Sequence, residues 1–89
     1  MRFIDHDLKH QRAGSIVRVR LQGNSANVML LDSSNFEHYR RGEPFNCLGG
    51  HFNRSPAVLR VPSRGYWHVV VDLGGALGQV RSSAEVVPA

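Results

Sequence analysis

The sequence predicts an all-β, single-domain β-sandwich of about seven short antiparallel strands with bulges, plus one short helix near residues 34-41. Three observations carry this expectation. Valine occurs eleven times and isoleucine twice, and Val-rich segments suit a pleated, half-buried surface. Two segments, Ser15 to Leu21 and Gly65 to Leu73, alternate between apolar and polar residues, the two-residue period of a strand with one dry face. Gly, Pro, Asn and Ser clusters recur along the chain at roughly the 8–12-residue spacing of sandwich turns.

Phe3 to Leu8 is a candidate first strand, broken by Gln11-Arg12-Ala13-Gly14. In the second, Val17, Val19 and Leu21 share one face, while Ile16, Arg18 and Arg20 share the other. Gln22-Gly23-Asn24-Ser25 has the composition of a hairpin turn. Asn27 to Leu31 is apolar on both faces, so it belongs in the middle of the structure. Asp32-Ser33-Ser34-Asn35 then changes the pattern. Ser34 with Glu37 has capping-box spacing, and Ser33 is the other candidate cap. The helix would end at Gly42, a natural residue just past a C-terminus. Phe36 and Tyr39, three residues apart, would pin it to the core. Arg40 and Arg41 lie where the helix dipole favours cations.

Phe45 to Phe52 is a strand or loop interrupted at Gly49-Gly50, and Ala57 to Val61 is a further strand. Pro62-Ser63-Arg64-Gly65 is a turn. In the next strand Trp67, Val69, Val71 and Leu73 oppose Tyr66, His68, Val70 and Asp72. The last, Gly78 to Val87, turns Val80, Ser82, Ala84 and Val86 inward. The pairs Gly49-Gly50 and Gly74-Gly75 are the expected sites of bulges or bends.

Several of these runs, taken in order, are familiar. They are Val17 to Val28, Leu31-Asp32-Ser33-Ser34-Asn35-Phe36, Tyr39-Arg40-Arg41-Gly42, Arg54-Ser55-Pro56 and Trp67 to Gly75. Together they resemble a family of short bacterial proteins, domain of unknown function 1883, from Phe3 to about Val86. The resemblance implies a β-sandwich with one regular sheet and one sheet bent by aligned bulges. It implies no catalytic residues. Related domains occur alone or fused ahead of signalling modules such as TIR domains, a context that implies recognition or sensing.

The chain of 89 residues carries 11 Lys and Arg against 7 Asp and Glu. Each half of the sequence is +2, and ten of the eleven cations are Arg. That bias is also what a GC-rich genome produces, so nucleic acid is an alternative partner and not the favoured one. Cys47 is the one cysteine, which excludes an intramolecular disulfide and points to a reducing compartment. Residues 1–10 lack the apolar run of a signal peptide, and no run of 18 apolar residues occurs. The expected location is the cytoplasm, without membrane insertion.

Chemistry is thinly signalled. His6 and His10 share one strand face in this reading but lie too far apart to chelate, so no metal site is expected. Cys47, His51 or His68, and Asp72 lack any spacing that marks a nucleophile, base and orienter. Gly74-Gly75-Ala76-Leu77-Gly78 joins two strands and is no phosphate loop. The Asp32 to Asn35 cluster is read as helix capping. No catalytic residue and no cofactor is expected. The favoured function is a non-enzymatic binding or assembly module that recognises a protein partner or self-associates. Ile16 and Val70 on nominally wet faces point to such a covering surface. The alternative is a nucleic-acid or phosphate-ligand binder using Arg18, Arg20, Arg40, Arg41 and His68.

Overall fold

A computed structural model describes residues 2–89. Its seven strands are β1 (Phe3–Gln11), β2 (Ile16–Gly23), β3 (Ala26–Asp32), β4 (Leu48–Phe52), β5 (Ala57–Arg60), β6 (Gly65–Asp72) and β7 (Val80–Val87). One helix, α1 (Ser33–Arg40), follows β3. The strands form a four-stranded sheet, β1-β6-β3-β4, and a three-stranded sheet, β5-β2-β7. All pairings are antiparallel. The sandwich expected from the alternation is therefore observed.

The inner faces meet in one apolar core. Val17 and Val19 from β2 and Ala57 from β5 face Val28 and Leu30 from β3 and Trp67, Val69 and Val71 from β6. Burying each Val or Leu stabilises the fold by about 1.5–3 kcal/mol. The Trp67 indole N–H donates to the Ser63 carbonyl at 2.9 Å, so its buried polar atom is satisfied. Val80, Ser82, Ala84 and Val86 do point inward, but all four remain half-exposed.

A second core lies on the outer side of the four-stranded sheet. There Phe36 and Tyr39 of α1 cover Met29, Leu31 and Val70, with Phe3 packed at the margin. This explains why β3 is apolar on both faces. It also corrects the expectation that a partner covers Val70, because the chain's own helix does so. The helix cap differs too. Asp32 is the N-cap, its Oδ1 accepting from Asn35 N at 2.8 Å. The shorter Ser33 and Ser34 side chains are inside the helix instead. Gly42 follows the C-cap with φ +75°, as expected of a left-handed terminator.

The Gln22 to Ser25 turn is not a hairpin. It carries the chain from β2 in one sheet to β3 in the other. β3 needs apolar cover on both faces, whereas β2 carries Arg18 and Arg20 on one face that must stay wet. Gly23 has φ +101°, and a Cβ there would stand 2.5 Å from the Gln79 carbonyl oxygen. Asn24 locks the turn to the β6–β7 loop: its N–H donates to Gln79 O, and its Oδ1 accepts from Gln79 N, both at 2.9 Å.

Bulges fall elsewhere than expected. Register runs unbroken through Gly49-Gly50, while Gly74-Gly75, both with positive φ, form the turn after β6, the bend expected there. The irregularity is in β1, between Asp7 and Lys9, where Lys9 has φ +60°. The bulge changes which side chains face inward. His6 turns in, half-buried, and shares a 2.8 Å hydrogen bond with Ser82 Oγ. His10 turns out against Tyr66. The two histidines therefore do not share a face.

Candidate functional site

The outer face of the three-stranded sheet is bare, and alternation fixes what it presents. β2 presents Ile16, Arg18 and Arg20; β5 presents Val58 and Arg60; β7 presents Arg81, Ser83, Glu85 and Val87. Register sets these in rows: Arg60, Ile16 and Val87 in one, then Val58, Arg18 and Glu85, then Arg20 with Ser83. Four arginines thus share a face with one carboxylate. The sole ion pair of this face among the described residues is Arg20 Nη2 to Glu85 Oε1 at 3.9 Å, long and solvent-exposed, so worth little.

The expected site residues separate into two groups. Arg18 and Arg20 lie on this bare face. Arg40 and Arg41 lie on α1 and at its C-cap, and His68 lies on the outer face of the four-stranded sheet beneath that helix. The five do not form one patch, because α1 packs on the sheet opposite β2. His68 is also engaged already. Its ring stacks on Phe36 at 4.1 Å and bonds to Asp5 Oδ1 at 2.9 Å. Arg40 reaches Glu37 at 2.6 Å and Arg41 reaches it at 3.8 Å. The bond from Arg40 holds the Glu37 carboxyl below its usual range. Arg60, diagonal to Arg18, and Arg81, diagonal to Arg20, were missed. Their outward parity was legible, but their adjacency needed the strand order.

Asp72 is the most buried charged side chain described, at 4% exposure. Its Oδ2 accepts from the Tyr39 hydroxyl at 2.5 Å. Its Oδ1 accepts from Asn27 Nδ2 and from Gly74 N, each at 2.9 Å. Burial, then the bond to Asp72, pushes the Tyr39 phenol well above its ordinary pKa. The phenol therefore stays a donor, and the network anchors α1 to the end of β6.

Cys47 is exposed, and local desolvation raises its thiol pKa, the wrong direction for a nucleophile. Its imagined partners are spoken for by Asp5, Tyr39 and Asn27. No group of three His, Cys, Asp or Glu side chains among the described residues could hold a metal ion. Asp32 and Asn35 are used in capping, and Asn35 Oδ1 also accepts from Asn46 N at 2.8 Å. No helix among the described residues is long and apolar enough to cross a membrane.

Along one side of the sandwich the two sheets meet at their edges, joined by His6 and Ser82 and parted at one end. β1 and β7 are the edge strands there, one from each sheet. Between the start of β1, the end of β6 and the loop into β7 lies a cleft of about 1090 Å³. Ile4, Val71, Leu73 and Val80 line it, and Leu77 stands at its rim, 98% exposed. Beside it runs β7, eight residues with no Pro, Gly or Lys and no register shift.

A family model described as Domain of unknown function (DUF1883) matches residues 1–89. The chain belongs to this family. Comparison with curated proteins and with solved structures gave no match. This DUF1883 domain thus has a bare basic sheet face and, on β7, an unpaired strand edge.

Proposed function

We propose that this DUF1883 domain is a non-enzymatic binding and assembly module that takes up an extended polypeptide at the β7 edge. One observation carries the reading. β7 is an eight-residue edge strand with no Pro, no bulge and no inward-pointing charge, and its inward row is left half-exposed, with Val80 at an apolar cleft. Such an edge adds a strand through its free backbone groups, and the alternate side chains give selectivity. A small core without disulfides gains stability from that addition. The lone thiol and the family resemblance fit a bacterial cytoplasm as the setting. Native mass spectrometry of the purified protein at moderate salt tests this. The expected result is an oligomer or a retained polypeptide, lost in Ala84→Lys, which places a charge on the inward row of the edge strand. A bare monomer at every concentration overturns it.

A second reading is supported by the four-arginine face. Arg18 and Arg20, joined by Arg60 and Arg81, present a cationic surface to a phosphate-bearing ligand or nucleic acid. Binding of a labelled single-stranded oligonucleotide would then weaken steeply as salt rises. Affinity that stays flat with salt removes this reading.

A further inference from the structure

We propose that the strand added at β7 is β7 of a second copy, paired antiparallel about a two-fold axis through Ser83. This deepens the edge reading above and rests on it. The argument lies in the order of residues along the strand. From Val80 to Val86 the sequence reads Val, Arg, Ser, Ser, Ala, Glu, Val. Reversed about Ser83, it is complementary to itself. Arg81 meets Glu85 of the second copy, and Glu85 meets its Arg81. Val80 meets Val86, Ser82 meets Ala84, and Ser83 meets Ser83. Opposite charges and apolar pairs directly across an antiparallel ladder are stabilising.

The faces also agree. A two-fold axis perpendicular to the sheet keeps outer face beside outer face. The outward Arg81 and Glu85 then pair in solvent, and the half-exposed Val80 and Val86 pair on the cleft side. Because the axis passes through a residue, facing positions have equal parity. Whichever alternate set of β7 amides points to the free edge therefore finds its like on the partner. Neighbouring registers lose this match. Centred on Ser82, Arg81 faces Ser83 and Glu85 faces Gln79; centred on Ala84, Arg81 faces Val87 and Glu85 faces Ser83. A parallel, in-register pairing sets Arg81 near Arg81.

Within one copy these charges are barely used. Arg81 makes no ion pair among the described residues, and Glu85 has only its 3.9 Å contact with Arg20. The other three edges are poor alternatives. β1 carries the bulge at Lys9. β4 has five residues, two of them Gly. β5 has four, between Pro56 and Pro62. Pairing at β7 yields one six-stranded sheet, β5-β2-β7 followed by its two-fold mate.

Sedimentation velocity on the full chain tests the proposal, because both charges are exposed and outside the core. Wild type is expected to run at twice the 9.9 kDa chain mass. Arg81→Glu alone and Glu85→Arg alone each set like charges face to face. Each should weaken the dimer roughly 10- to 30-fold. An equimolar mixture of the two variants restores both pairs and should dimerise again, as should the double variant. Single variants that dimerise as wild type does, or a mixture that stays monomeric, overturn the proposal. So does a monomeric wild type. If that monomer retains a different polypeptide that Ala84→Lys releases, self-pairing fails and the edge reading stands. If it retains nothing, both fail.

Discussion

The two sheets solve the same problem in opposite ways. Each buries one face in the shared core. The four-stranded sheet then covers much of its other face with α1, so Met29, Leu31 and Val70 are buried by the chain itself. The three-stranded sheet leaves Arg18, Val58 and Arg60 in water and leaves the outer edge of β7 unpaired. One sheet is finished internally and the other is available. Its apolar members, Val58 at 52% and Val87 at 49% exposure, are interleaved with charge, which keeps the face soluble while it is open.

The contrast breaks most sharply under one substitution made twice. Val70→Glu places a carboxylate under α1 with no partner. It is expected to cost more than about 3 kcal/mol and to leave the chain largely unfolded in a thermal melt. Val58→Glu, on the bare sheet, should shift stability by no more than about 0.5 kcal/mol. Equal effects at the two positions would mean that both faces are covered, or that neither is. Tyr39→Phe is a milder break. It removes one donor to buried Asp72 and should cost about 1–3 kcal/mol in chemical denaturation, with the helix loosened ahead of the sandwich. A loss near zero would show that Asp72 finds another partner.

The smallest effect sharpens the comparison at the join between the sheets. Burial lowers the His6 pKa from 6.5, partly offset by Asp5. Well above pH 6.5 His6 is neutral folded or unfolded, and its burial carries no protonation penalty. As pH falls below 6.5 the unfolded chain takes a proton that the folded chain resists, so stability declines toward acid. His6→Gln should flatten that slope in melts run from pH 7.5 down to about 5. An unchanged slope would assign it to other groups.

Local pattern made much of this legible. Val17 and Val19, or Trp67, Val69 and Val71, declare their face by alternation alone, and the double-sided Val28 to Leu31 declares a central strand. What pattern cannot carry is which sheet a strand joins. Gly23 and Asn24 signal a reversal, but a reversal serves a hairpin and a crossing equally. Val70 looked uncovered because its cover, Phe36 and Tyr39, lies more than thirty residues away. The arginines divided for the same reason: Arg18 and Arg40 are alike in sequence and lie on opposite sides of the sandwich. The bulge at Lys9 had no Gly to mark it. Half of the candidate surface, Arg60 and Arg81, became visible only once β5 and β7 were seen to flank β2.

The short strand β5 has a consequence for what happens at high concentration. Pro56 and Pro62 stand on either side of its four residues, and a proline has no amide hydrogen to offer an incoming chain. The three-stranded sheet is therefore sticky at one end and blunt at the other. Under the pairing proposed above, growth at β7 would use up the sticky end of both participants and leave two blunt ones. Crowding would then fill the dimer and extend this sheet no further.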